Sequence, residues 1–127
     1  VEITYGLERL CMFVQGKNNV FDLEWNNEGI KYKEVFFQAE KEFSAYNFEF
    51  ANTDTLLKNF DNTENECKSL LEKKLSLPAY DQCLKASHVF NILDARGAIS
   101  VAQRAEYIGR IRGVTKSAAA IWIDTQV

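Results

Sequence analysis

Proline is nearly missing from this chain: Pro78 is the one instance in 127 residues. Proline interrupts helix interiors, so long helices are unobstructed on either side of it. Histidine is represented only by His88, and the three cysteines, Cys11, Cys67 and Cys83, form no CxxC pair. That spacing argues against a zinc framework or a disulfide scaffold. It leads to the expectation of three free thiols, no protein-bound zinc and a reducing, cytoplasmic compartment. No apolar run approaches the ~18 residues of a membrane span. No Lys/Arg-led apolar segment opens the chain as in a signal peptide. Positive charge is not in excess either: the net charge of −3 excludes a uniformly basic nucleic-acid binder but leaves room for a local basic patch.

What is present is ordinary folding material. Hydrophobic residues make up 46% and charged residues 26%, the composition of a globular domain. Nine Phe, five Tyr and two Trp supply apolar area for a core. The length suits one domain. The chain opens on Val1, with strand-like residues from the start, and reads as the back part of a longer protein.

Periodicity orders the segments. Val1, Ile3 and Tyr5 alternate with Glu2 and Thr4, which predicts a strand. Gly6 interrupts it, and Leu7 to Gln15 carries a helical stripe that Gly16 ends. Val20–Trp25 and Ile30–Val35 flank the turn cluster Asn26-Asn27-Glu28-Gly29 and predict a β-hairpin. From Phe36 the period becomes helical through Phe43, Tyr46 and Phe50, and this aromatic run reads as core. Asn52 is placed to cap a long helix carrying Leu56, Phe60, Cys67 and Leu71. Pro78 opens the next helix, which is apolar on most sides and therefore expected to be central. Gly97 ends it. Ser100 and Gln103 form a capping box for a last helix with Val101, Ala105, Ile108, Ile111, Thr115, Ala119 and Trp122 on one side. The expected fold class is α+β, mostly helical: a strand–helix, a β-hairpin and a helical bundle, divided into residues 1–35 and 36–127.

Two constellations could carry chemistry. In Glu2-Ile3-Thr4-Tyr5-Gly6-Leu7-Glu8-Arg9, alternation puts Glu2, Thr4 and Gly6 on one face. Arg9 falls in the first helical turn, where a cation opposes the helix macrodipole by about 0.3–1 kcal/mol. That placement makes sense if Arg9 serves an anion such as phosphate, with Gly6 allowing close approach to the backbone. The same residues also fit a plain surface at a sheet end. Second, residues 95–123 hold Arg96, Arg104, Arg110, Arg112 and Lys116 against Glu106 alone, whereas residues 34–72 hold nine acids against three lysines. A basic helix on an acidic protein suits a nucleic-acid backbone or an acidic partner, or is an ordinary solvated face. His88 reads as a hydrogen-bonded packing residue, and Asp94 with Arg96 as a helix-end ion pair or cap.

Three stretches taken together carry a family resemblance: Glu2 to Leu10, Tyr46-Asn47-Phe48-Glu49, and Leu77-Pro78-Ala79-Tyr80 running on through Lys85-Ala86-Ser87-His88 to Leu93-Asp94-Ala95-Arg96-Gly97-Ala98-Ile99-Ser100. In this order the chain resembles the C-terminal part of the alpha subunit of bacterial glycyl-tRNA synthetase, a class II aminoacyl-tRNA synthetase. The resemblance implies that residues 1–35 are the end of the catalytic domain, with the final strand–helix of its antiparallel sheet. Residues 36–127 would then be a C-terminal helical domain. It implies a glycine–tRNA ligase that activates glycine with ATP, accompanied by Mg2+, to glycyl-adenylate and passes glycine to tRNA. It further implies an alpha-subunit homodimer joined by beta subunits in an alpha2-beta2 heterotetramer. Gly6-Leu7-Glu8-Arg9 falls on class II motif 3, which assigns Arg9 and Gly6 to ATP. Glu2 falls on the acidic position that faces the substrate amino group in the similar alanyl enzymes, with Thr4 as a second glycine contact. Arg104, Arg110, Arg112 and Lys116 become candidates for tRNA or subunit contact. Motifs 1 and 2 are not in this stretch, so it is expected to be inactive alone. Phe37-Gln38-Ala39 departs from the His-Gln-Asn of many relatives. The alternatives are a non-catalytic helical module docking to the beta subunit or tRNA, and an unrelated helical interaction protein.

Overall fold

The structure, a computed structural model, describes residues 5–126. Five α-helices follow in order: α1 (Leu7–Gln15), α2 (Tyr32–Ala45), α3 (Thr53–Glu72), α4 (Ser76–Ala95) and α5 (Val101–Asp124). A 3-10 turn at Val20–Asp22 lies between α1 and α2, and a π-helical turn at Tyr46–Phe50 follows α2. The chain divides into two compact units, Val1–Tyr46 and Asn47–Val127. No helix among the described residues is long and apolar enough to cross a membrane.

The sheet portion of the expected α+β fold is overturned: among the described residues there is no β-strand. The expected strand falls on residues 1–4, which lie outside the described residues, and on Tyr5, which is irregular. The predicted hairpin is reduced to one antiparallel bridge, Glu24 with Lys31. Local side-chain hydrogen bonds account for the difference. The Asn19 Oδ1 accepts the Phe21 N–H at 3.0 Å and winds the first predicted strand into the 3-10 turn. The Glu34 carboxylate accepts the Lys31 N–H at 2.6 Å and starts α2 at Tyr32. Between them only the Trp25 N–H to Ile30 C=O and Tyr32 N–H to Leu23 C=O bonds survive, 2.8 Å each. The Gln15 side-chain amide occupies the other edge of Glu24, donating to its carbonyl at 3.1 Å and accepting its N–H at 2.8 Å.

The expected helical bundle is present in the second unit. The Asn52 Oδ1 caps α3 by accepting the Thr55 N–H at 2.9 Å. Ser100 and Gln103 cap α5 reciprocally. Gly16 (φ 63°) and Gly97 (φ 64°) supply the left-handed residues that end α1 and α4. Lys74 takes the same conformation (φ 57°) after α3. There the Lys74 and Leu75 N–H groups return to the Leu71 and Leu70 carbonyls at 3.0 Å each, the Schellman pattern.

Packing on α3 and α4 runs antiparallel in three layers. Leu56 meets Ile92 and Leu93. Phe60 meets Ala86, Phe90 and Tyr107 of α5. Cys67 meets Ala79, Cys83 and Val114 of α5. The α4 helix contacts both α3 and α5, as its all-round apolar character predicts. The buried stripe of α5 is Tyr107, Val114 and Ala118, whereas Val101 is 88% exposed, so the α5 face differs from the one its spacing suggested. The aromatic run also departs from the core role expected of it: Phe37, Phe43, Tyr46, Phe48 and Phe50 are exposed. Among the described residues of the first unit Leu23 is the buried one, and the rings of this unit pack on one another. Trp25 packs on Phe36 at 5.2 Å, Tyr32 on Phe36 at 4.7 Å, and Phe21 on Phe37 at 5.1 Å.

The α3–α5 contact is clamped electrostatically. Glu64, 6% exposed, accepts from Arg110 at 2.6 and 3.2 Å and pairs with Lys68 at 3.2 Å. Arg110 also donates to Asp61 at 2.7 Å. Its guanidinium carbon lies 4.7 Å from the Phe60 ring centre and 5.1 Å from that of Tyr107. The Arg110 hydrogen bonds hold the Glu64 carboxyl below its ordinary range, against burial, which raises it; Lys68 adds to the lowering.

Removing one member of such a pair strands the other charge. Arg110→Met is expected to cost up to roughly 3 kcal/mol, about 10 °C in thermal midpoint. Arg110→Met with Glu64→Met should recover most of it. Because the folded Glu64 pKa is depressed, the wild-type stabilisation is complete above the unfolded carboxylate value of about 4.3 and fades as pH falls through the folded value. The midpoint gap between wild type and Arg110→Met should therefore narrow in acid. A gap independent of pH would assign the loss to packing alone.

Lys74 pays the steric penalty of a left-handed L-residue, about 1 kcal/mol. Lys74→Gly should raise the thermal midpoint by a few degrees. A fall would mean that the lost side chain, or the added freedom of the unfolded chain, outweighs the relieved strain.

Candidate functional site

Helix α1 begins at Gly6, whose φ of −71° and ψ of 106° are open to any residue. A Cβ built there meets nothing within 4 Å. Neither backbone conformation nor packing among the described residues therefore demands glycine at this point. Among the described residues no side chain caps the helix, which leaves its first N–H groups to an anion. Arg9 sits in this first turn, exposed and without an ion pair among the described residues. Its guanidinium can present two parallel N–H donors to phosphate oxygens. Glu2 and Thr4 lie outside the described residues.

Behind this helix start, the first unit encloses an open recess of about 510 Å³. Leu7, Glu8 and Cys11 of α1 line one side, and Trp25, Tyr32 and Glu40 the other. Desolvation, then the negative fields of Glu8 and Glu40, push the Tyr32 phenol above its ordinary range. Sequence spacing does not group these residues, because Glu8, Trp25 and Glu40 share no helix face; ring packing joins Trp25 to α2, and the Gln15 side chain ties α1 to Glu24.

The five cations of the basic segment, residues 95–123, separate into engaged and open groups. Arg104 Nε donates to both Asp94 oxygens at 3.1 and 3.2 Å. Arg110 is held by Glu64 and Asp61 as described. Arg96 does not pair with Asp94: its Nη1 donates to the Phe48 carbonyl in the π-helical turn at 2.7 Å, and its buried Nε has no partner among the described residues. Arg112 and Lys116, one turn apart on α5, are exposed and make no ion pair among the described residues. His88, expected as a hydrogen-bonded packing residue, is exposed on α4 beside a shallow recess with Asn47 and Asn91.

The structure also joins two residues that the sequence left apart. The Cys67 and Cys83 sulfurs are 3.5 Å from each other, and the Cys67 thiol donates to the Ala79 carbonyl at 3.3 Å.

An uncapped helix start bearing an unpaired arginine, followed by a capped helical bundle with an open cationic face, is shared ground for many proteins. The family comparison narrows it, because the family model described as glycyl-tRNA synthetase alpha subunit matches residues 1–127. The chain therefore belongs to the glycyl-tRNA synthetase alpha subunit family, and with it to the ligases that join glycine to tRNA.

Proposed function

We propose that this chain supplies ATP and glycine contacts for glycine activation within an intact alpha subunit. The observation that carries the reading is Arg9, exposed and, among the described residues, without an ion pair at a helix start that no side chain caps, in a chain the family model matches from residue 1 to 127. The reaction is attack of the glycine carboxylate on the α-phosphorus of ATP, with pyrophosphate leaving. It needs charge stabilisation and alignment more than an acid or base. Arg9 binds phosphate oxygens and offsets charge as pyrophosphate departs. Gly6 lets the nucleotide approach the backbone. Glu2 holds the glycine ammonium so that the carboxylate faces phosphorus, and Thr4 gives a second contact. Mg2+ arrives with the ATP phosphates; among the described residues no set of His, Cys, Asp and Glu side chains converges to hold it. The working form is an alpha dimer with beta subunits, as an alpha2-beta2 assembly.

Arg9→Ala in the intact enzyme should lower ATP-dependent pyrophosphate exchange roughly ten- to hundredfold, the worth of a charge-assisted contact of ~1.5–3 kcal/mol. Glycine binding should stay near wild type. Because Arg9 is exposed and unpaired, the thermal midpoint should not move. Unchanged exchange would remove Arg9 from the phosphate site.

A docking role is supported by Arg112 and Lys116, two cations of the basic segment that make no ion pair among the described residues. Arg104 and Arg110 belong to the same basic segment, but their guanidiniums are already spoken for by Asp94 and by Glu64 with Asp61. In the intact assembly, Arg112→Gln with Lys116→Gln should leave pyrophosphate exchange intact and weaken aminoacylation or subunit assembly. If phosphates are the partners, each lost contact flattens the slope of log K against log salt by about 0.9 or less. Unchanged aminoacylation and assembly across a salt series would return this face to ordinary solvent exposure.

A further inference from the structure

We propose that Cys67 and Cys83 form a redox modification site: a sealed dithiol that a hydroperoxide converts to a disulfide tying α3 to α4. The inference stands apart from the ligase reading and uses none of its residues. The geometry carries it. The two sulfurs are in contact at 3.5 Å, 1% and 2% exposed, in a layer closed by Ala79 and Val114. Closing a disulfide of about 2.05 Å from that separation asks each sulfur to move by less than 1 Å. Eight residues lie between each cysteine and the centre of the α3–α4 turn at Leu75, counting inclusively from the cysteine. The bond would therefore cross-link two helices already held in register.

The chemistry balances without any further group. One thiolate attacks a peroxide oxygen and becomes a sulfenic acid, releasing water after proton transfer. The neighbouring thiol attacks that sulfur, the sulfur–oxygen bond breaks, and a second water leaves. Two thiols and one hydrogen peroxide thus give one disulfide and two waters, each sulfur losing one electron and the peroxide gaining two. The neighbour in contact makes the second step faster than further oxygenation. The first step is slow in the closed bundle. Burial, and then the adjacent Cys83, push the Cys67 thiol up to about 12, so reaction follows transient opening of this layer. Cys11, exposed on α1, lacks such a neighbour and reacts on its own.

The test uses the full chain carrying Cys11→Ser, which removes linkage between chains. It is treated with hydrogen peroxide at neutral pH without denaturant. The expected product is a monomer lighter by ~2 Da, the mass of the two hydrogens lost. Non-reducing digestion should give one linked peptide joining Cys67 to Cys83. The thermal midpoint should rise by about 10 °C and return with dithiothreitol, as a ring of this size predicts. Adding Cys83→Ser should divert Cys67 to sulfinic and sulfonic acids; if that variant does not fold, mass and midpoint of the Cys11→Ser chain decide alone. The proposal is overturned if the cysteines instead gain oxygen, if both remain alkylatable after unfolding, or if the disulfide forms with no rise in midpoint.

Discussion

The contact between Arg110 and Glu64 is the constraint around which the helical unit is arranged. A carboxylate 6% exposed is costly unless its charge is answered within the fold. Here the answer comes from α5, across from the helix that carries the acid. Satisfying Glu64 therefore fixes the rotation of α5 about its own axis. It brings Tyr107 edge-on to Phe60 at 4.6 Å and puts the guanidinium over both rings. It also explains why the buried stripe of α5 runs through Tyr107, Val114 and Ala118 and leaves Val101 in solvent. Apolar spacing alone cannot see this, because the residue that decides the face is an arginine.

Helix ends were the most legible part of the chain. Gly16, Asn52, Ser100 with Gln103, and Gly97 act through bonds that span three to five residues, so sequence contains both donor and acceptor. The hairpin misled for a related reason. Val20–Trp25 and Ile30–Val35 have strand composition, but ladder bonds must be made across a turn, whereas Asn19 and Glu34 make theirs within three residues. The nearer partners prevailed, leaving one bridge. The aromatic run from Phe36 to Phe50 shows the same limit in another form: helical spacing was correct, yet burial depends on what lies opposite, and spacing does not contain that.

The candidate site was legible only in part. Arg9 stood out because its charge conflicts with its place in the helix, and that conflict survives in the structure. The basic segment was legible as charge and illegible as chemistry. Counting placed Arg104, Arg110, Arg112 and Lys116 together, while the fold sends the first two to carboxylates of the same chain. A cation already bonded to a carboxylate of its own chain has less to offer a phosphate. An equal charge without a partner retains its full capacity, so the division between engaged and open side chains matters more than the total.

The cysteine pair illustrates information that sequence held but local motifs did not reveal. In an antiparallel helical hairpin, residues equally distant from the turn face each other. Phe60 and Phe90 are placed symmetrically about Leu75, as are Cys67 and Cys83, and both pairs share layers of the core. Once Pro78 marks the start of α4, the turn is located and the register follows from counting. Looking only for CxxC spacing restricts attention to thiols within one turn of chain. Helical register extends the same search to residues sixteen apart, because packing in the core converts distance along the chain into contact across it.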